Sequence, residues 1–592
     1  MGTSMTSHEN KGILSNLQNQ LVLSLGSAHS FRIAPSVSDR EVWARLGETG
    51  VAIMGSAEDY LSREVPPLRL GDFLEHPDVW LQNRLERRRR LRILTLAAAY
   101  EGGARYIRPL AETVWAVCEE AGWISPDTAR QDSDPLPDVD RPRVDAFSAE
   151  TAMDLSVMCQ IVGNPLAAFS QRLIDMVYRC LEDRILRPFL ERDDALRDPT
   201  ACLAGCMAAF LTFVTDDKRR WACMRKAWRM LEDALSALRE DGSIDGGLEE
   251  WLTYAERMGD CMELVRTATE GEIDLARLDA PSRLFRIGVK RFLTGGFFLN
   301  PGERSPRPRL DGVRIYRLGD FADDDMVRDL GVHLVRLYGA RGEDSDLWHE
   351  SYRITRSPDI LADQARPPRL LQCYLPDAQA FVARSRQNSD TGFLLAAYGG
   401  NNGEKNTHLD VGNVLLFANG EPVLCDMGTF ADTDLHSLPV VGGYTQQFGR
   451  QYRSQDAACR LNEDYGLLTL DLSTAYPPGA AVYGWQRTAI LIRDENSVQL
   501  IDAFDLTRRQ SVRFCFITPF EPIVTSKHVQ LGSVRMRWDP DLTAGVEKIP
   551  VRDEALKEIW GDTLFRLYFD TPSEVDSGKY TFTVNLLRTY GR

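Results

Sequence analysis

Apolar residues in the first 345 positions recur at intervals of three and four, the spacing that lines one face of an α-helix. The pattern predicts helices over 92–100, 110–120, 149–162, 168–186, 201–214, 221–238, 248–269 and 326–338. Pro188 is expected to end the fourth of these, because proline cannot continue a helix interior. The loops at 125–141 and 300–308 are rich in proline, with Asp or Arg. Successive helices on short loops predict a stack of αα-hairpins. From about residue 370 the texture changes to short apolar runs beginning near Phe393, Tyr465, Ala489, Ser497, Ser511 and Tyr580. Several are separated by charged or Gly/Pro turns, which predicts a β-sandwich. The stretch 357–369, with three prolines, is the expected boundary. The division is therefore a loosely docked tail at 1–30, a helical domain at 31–365 and a β domain at 366–592.

At 592 residues the chain exceeds one ordinary core, so at least two domains are expected. It is 43% hydrophobic and 26% charged, and no run of 18 apolar residues predicts a membrane span. The opening MGTSMTSHENKGILSN has no apolar segment of the kind that marks a secretory signal, so a cytoplasmic location is expected. A net charge of −16 and a pI near 5.2 argue against nucleic acid as a partner. An anionic ligand would need a locally basic cleft. The one basic run, at 84–92, is expected to be a solvated helix face, with the collection of anionic sugars as the alternative. Eleven cysteines show no zinc-knuckle spacing and are expected to be reduced thiols.

Candidate chemistry concentrates in 399–447, GGNNGEKNTHLDVGNVLLFANGEPVLCDMGTFADTDLHSLPVVGGYTQQ. A hairpin is predicted here, with 414–417 turning at Asn419-Gly420 and returning at 422–424, since Asn-Gly tolerates the positive φ of a type I′ turn. His408, Asp426 and His436 could supply two imidazoles and a carboxylate to Zn²⁺. Their spacing, 18 and then 10 residues, equally suits three polar residues at strand ends.

The 399–430 segment resembles that of heparinase II/III-type proteins, where a His-Asn-His-x-Asp run precedes Val-Gly-Asn/Ser, a strand, a Gly-Glu-Pro turn and Asp-x-Gly. The segment from His436, HSLPVVGG, is similar to a later family segment, and DGSIDGGLEEW from Asp241 to the family's Asp-Gly-Gly-Tyr-Asp-Glu-Gly-Pro-x-Tyr-Trp. The resemblance implies an incomplete α/α toroid followed by an antiparallel β-sandwich. It implies His408, Asp426 and His436 as zinc ligands; Asp410, two residues from His408, could orient that imidazole. It also implies β-elimination on acidic, uronic-acid-containing oligosaccharides or polysaccharides. That reaction needs neutralisation of the substrate carboxylate, a base for the C5 proton and an acid for the leaving oxygen.

The catalytic positions depart from the family pattern. Asn406 replaces the earlier histidine of the run and offers an amide to a carboxylate. Glu250 stands at the toroid tyrosine position. Tyr254, one turn further on, is the preferred substitute, and Tyr444 is the sandwich-domain candidate. Trp251, His349 and Arg450 are expected to contact sugar, with Trp123 and Trp485 as further stacking candidates. Pro199-Thr200-Ala201-Cys202 stands where an Asn-Trp segment is usual. Two other readings stay open. One is a glycoside hydrolase using carboxylates such as Asp245, Glu249 and Glu250. The other is a glycan-binding protein that kept the metal and lost the chemistry. A homo-oligomer is compatible with all three.

Overall fold

The computed structural model describes residues 31–587 except 130–133, 135, 302–304, 341–344, 404–407 and 429–434, together with positions 14, 17, 18, 20, 21, 24 and 25. The first half is helical. Ala146–Phe169 packs on Pro199–Phe213, which packs on Leu248–Ala268; Gly312–Ala322 and Leu347–Ala362 carry the ring back to Ala146–Phe169. Other helices, including Pro77–Glu101, Asp217–Ser236 and Asp325–Tyr338, pack around this ring. Small residues set the tightest approach. A Cβ on Gly205 would lie 2.0 Å from the Ala149 carbonyl oxygen, so this crossing demands glycine.

Several expectations change. Pro188 does not end a helix; it sits in the first turn of Arg187–Glu191, where its missing N–H is not needed, after a π-helical turn at Glu182–Leu186. Pro358 likewise lies inside Leu347–Ala362, so the helical half runs on to residue 362. Of the described residues before 31, Leu14, Leu21 and Leu25 are buried in the helical core. Ala146–Phe169 is long and apolar enough to cross a membrane by length and composition alone. It is a core helix here, with Asp154 buried against Arg92.

The largest correction concerns the basic run. Arg84, Arg87, Arg88, Arg90 and Arg92 are all buried. Arg88 makes a bidentate pair with Glu120 at 2.7 and 2.7 Å, and Arg84 and Arg87 approach the same carboxylate at 3.6 and 3.4 Å. Arg84 also lies over the Phe147 ring at 4.1 Å. Burial pushes the Arg84 guanidinium down to about 9, against the pull of Glu120. Burial would raise the Glu120 carboxyl, but the three arginines outweigh it and hold it below the usual range.

The second half is built of antiparallel sheets. Five strands, in order Gln372–Leu375, Ala380–Arg384, Phe393–Tyr398, Val414–Ala418 and Glu421–Leu424, form one sheet. An eight-stranded sheet centred on Val482–Ile492, Ser497–Gln510 and Val575–Leu586 faces it across Phe381, Leu395, Leu416, Leu468, Ala489 and Phe582. A four-stranded sheet continues the edge of the first, where the Cys425 N–H donates to the Ile517 carbonyl at 2.9 Å. Asn419 and Gly420 have φ of 50° and 84°, as the type I′ turn requires. The return strand carries a register shift after Phe417, an irregularity that the turn residues do not announce.

The halves meet at Asp241. Its carboxylate accepts the backbone N–H groups of Asp377 (2.8 Å) and Ala378 (3.2 Å), and its own N–H donates to the Asp377 carboxylate at 3.1 Å. Arg384 reaches back from the sandwich to the carbonyls of Phe292 and Leu293, at 2.9 and 2.5 Å.

Replacing Glu120 with Gln leaves three buried guanidiniums short of a counter-charge. Denaturant unfolding is expected to show a loss of about 3–5 kcal/mol. Because the folded carboxyl lies below its unfolded value near about 4.3, its stabilisation is present above that pH. It is lost as pH falls through the folded value. The acid-side fall in stability should be shallower in Glu120→Gln.

Candidate functional site

The hairpin brings its flanks together. Asp410 and Asn413 precede the outgoing strand, Asp426 follows the returning one, and His436 enters on the next turn before Pro439–Val441. Gly412, with φ of 91°, allows the chain to bend between Asp410 and Asn413. His408, Asp410, Asp426 and His436 are all buried, and one donor atom from each lies within 4.8 Å of the others. The imidazole centroids are 5.1 Å apart. His436 Nδ1 is 3.5 Å from Asp426, and His408 Nδ1 is 3.9 Å from Asp410.

Three neighbours fix this group. The Tyr398 hydroxyl donates to Asp410 Oδ2 at 2.5 Å, with Asp426 Oδ2 3.2 Å away. Asn413 donates its amide to Asp426 Oδ2 at 3.1 Å, and its carbonyl oxygen accepts the N–H of Ser437 at 3.0 Å. Arg487 forms a buried bidentate pair with Asp502 and donates to the carbonyls of Ser437 (2.6 Å) and Gly412 (3.1 Å). One buried cation thereby ties down the two backbone segments that carry the cluster.

The electrostatics are those of a charge-demanding site. Burial would raise the Asp426 carboxyl, but His436 and His408 outweigh it and hold it well below the carboxylate range. Burial and the neighbouring Asp426 raise Asp410. The Tyr398 phenol is pushed far up by burial and by both carboxylates, so it stays a hydrogen-bond donor. Two imidazoles and two carboxylates, mutually in reach, are a donor set that suits a four-coordinate divalent ion such as Zn²⁺.

Asp410 and Tyr398 also form one wall of a narrow pocket between the two halves. Arg239, Gly246 and Arg291 come from the helical side, and Asn401 from the sandwich. Its volume, about 30 Å³, is that of one small group. Beside it Asp245 pairs with Arg239 of its own domain and, at 3.3 Å, with Arg450 of the other.

A scan against protein-family models finds no match, and a search of curated proteins finds none either. Solved structures do match. The heparan sulfate lyase HepC of Pedobacter heparinus aligns with 98% of this chain and 89% of its own, at 13% identity and a TM-score of 0.63. A heparinase III aligns with 96% of this chain and 93% of its own, at 11% identity and 0.60. A Paenibacillus xanthan lyase aligns with 98% of this chain and 60% of its own, at 12% identity and 0.52. The chain has the heparinase-like polysaccharide-lyase fold.

Within that fold the expected site residues scatter. His408, Asp426 and His436 come together, and Asp410 joins them as a fourth donor. Asn406 lies outside the described residues. Tyr254 lines neither the interdomain pocket nor the cavity of the helical ring: its half-buried side chain meets the Ala234 carbonyl at 3.4 Å, on the side facing the Asp217–Ser236 helix. Glu250 caps its own helix, accepting the Gly247 N–H at 3.1 Å. Trp251 is fully buried, with its indole N–H on the Leu284 carbonyl at 2.7 Å, and offers no face to a sugar. Trp123 and Trp485 are buried too. His349 is buried inside the helical ring against Asp346 and Asp260, away from the interdomain pocket's walls. Arg450 stands exposed at the domain junction. Tyr444 is 40% exposed and follows His436 by eight residues.

Tyr398 and Arg487 escaped sequence reasoning. The two-residue turn at 419–420 sets Asn413 opposite Asp426, but nothing local announces that Tyr398 faces the histidines. Arg487 had a signal: it lies opposite Asp502 in adjacent strands, an Arg–Asp pair inside two apolar runs.

Metal-depleted protein is expected to take up about one equivalent of Zn²⁺ by elemental analysis. His408→Ala and His436→Ala should abolish that uptake. Asn413→Ala should weaken it about 10-fold or more by releasing Asp426.

Proposed function

We propose that the chain is a glycan lyase that breaks uronic-acid-containing oligosaccharides or polysaccharides by β-elimination at the interdomain pocket. One observation carries the reading: the buried His/Asp cluster reaches the pocket through Asp410 and Tyr398, opposite Arg239 and Arg291. The fold shared with heparan sulfate and xanthan lyases supports it.

In this reading the substrate carboxylate enters the narrow pocket, where Arg239 and Arg291 neutralise it. Charge then developing toward C5 is stabilised by preset cations and donors. Arg450, which bridges to Asp245, exchanges that contact for the incoming sugar. His408, Asp410, Asp426 and His436 would hold a divalent ion, which would supply positive charge and fix the two loops. Tyr444 is the proposed proton-transfer group. Its segment runs beside the pocket wall, since Gln446 bonds Asn402 at 2.9 Å and the Val411 backbone at 2.7 and 3.1 Å. Tyr254 and Glu250 are replaced in that role because both are engaged elsewhere.

A glycoside hydrolase is the second reading. It is favoured by the carboxylates Glu249, Glu256 and Asp260, which line a cavity inside the helical ring.

Incubation with uronic-acid oligosaccharides should raise ultraviolet absorbance as the new double bond conjugates with the carboxylate. Tyr444→Phe should slow the rise about 100-fold, while Tyr254→Phe stays within about twofold of wild type. A flat trace with new reducing ends would sink elimination and support hydrolysis.

A further inference from the structure

The helical ring encloses a second cavity of about 710 Å³, inside the size range of small-ligand sites. Its lining comes within three residues of the interdomain pocket's: Gly246 lines the pocket, and Glu249, in the first turn of Leu248–Ala268, lines the cavity. One wall is apolar, with Ala149, Met153, Ala204 and Leu252. The rest is charged, and its charges are already matched.

Each of the four described arginines that line the cavity is paired. Arg314 holds Glu256 in a bidentate pair at 2.9 and 2.6 Å, and Arg309 meets Glu558 at 2.8 Å. Arg353 pairs with Asp311, and Arg257 approaches Asp198 at 3.6 Å. His349 is clasped by Asp346 at 2.7 Å and Asp260 at 3.1 Å, with Glu256 at 3.5 Å. Burial opposes its protonation, but Asp260, Asp346 and Glu256 outweigh that and raise it well above the usual range. Six carboxylates line the space: Glu150, Glu249, Glu256, Asp260, Asp311 and Asp346. Against them stand four arginines and one imidazolium, so the described lining carries five positive charges to six negative.

A carboxylate or sulfate entering this cavity would lose its hydration and meet no surplus positive charge. An uncharged polyhydroxylated ring fits the same walls. The ion pairs keep lone pairs and N–H groups for hydroxyls, and the apolar wall takes the ring's C–H face. We propose that this cavity is a subsite for a sugar residue bearing neither carboxylate nor sulfate, next to a uronate whose carboxylate enters the interdomain pocket. The inference rests on the reading that the chain takes a glycan, and not on whether elimination or hydrolysis breaks the bond. It narrows the substrate to chains in which an acidic residue adjoins an uncharged one.

The test is calorimetric titration of the full, metal-replete chain with disaccharides of one uronate and one uncharged residue and with disaccharides acidic at both residues. The mixed disaccharides should bind wild type at least about tenfold more tightly than the fully acidic ones. Thr253→Trp, which fills the cavity from the Leu248–Ala268 helix, should weaken binding of the mixed disaccharide about tenfold or more with an unchanged thermal midpoint. Glu256→Gln strips the counter-charge from Arg314 and should raise affinity for the fully acidic disaccharide about tenfold. Equal wild-type affinity for the two classes would overturn the proposal, as would unimpaired binding of the mixed disaccharide in Thr253→Trp. Unsaturated product is followed on a longer uronic-acid oligosaccharide in parallel. Preference for the mixed disaccharide without elimination leaves the subsite standing and removes the lyase reading. Elimination without that preference does the reverse.

Discussion

Asp241 is the constraint on which the site depends. A single buried carboxylate from the helical half accepts two backbone N–H groups at the 377–378 turn of the sandwich. Such groups lie in a turn and have no strand partner, so the contact satisfies half-buried donors that the sheet leaves unpaired. Its effect is positional. Arg239 and Arg291 belong to one half, Tyr398 and Asp410 to the other, and Asp241 sets their register beside Arg384 and an apolar core that the two halves share. The same DGSIDGG segment carries Asp245, whose pairs with Arg239 and Arg450 make a second, exposed tie across the junction.

On the sandwich side, the cluster is held by buried polar groups that satisfy one another. Arg487 and Asp502 neutralise each other in adjacent strands, and Arg487 has donors left for two loop carbonyls. Asn413 divides its amide between Asp426 and the Ser437 backbone. These contacts limit how far the imidazoles and carboxylates can drift, which a metal-binding group needs before any ion arrives. The helical ring follows the same rule on a larger scale, with Arg88–Glu120, Arg92–Asp154, Arg317–Asp260 and Arg314–Glu256 all buried or nearly so.

The two architectures were legible because each leaves a local trace. Apolar residues at three and four gave most of the long helices, and Asn419-Gly420 gave the hairpin. The basic run shows where local reading stops. Periodicity counts Arg84 to Arg92 as polar and assigns them to solvent. Their partners, Glu120, Phe147 and Asp154, lie 32 to 63 residues further along, where no window sees them together. Tyr254 shows the same limit: spacing places it a turn from Glu250, but the neighbouring Asp217–Ser236 helix decides what its hydroxyl meets. Of the candidate site, the donor set was visible in residue types at 408, 426 and 436. Tyr398 and Arg487, which position it, belong to strands that read as ordinary core.

The central claim is that the His/Asp cluster and the arginine-lined pocket form one glycan site across the domain junction. Its most direct test is diffraction at the zinc absorption edge from crystals soaked with Zn²⁺ and a uronic-acid oligosaccharide. The account expects one anomalous peak between His408 and His436, and a sugar carboxylate between Arg239 and Arg291. A sugar bound elsewhere, or a peak absent from the cluster, would contradict it.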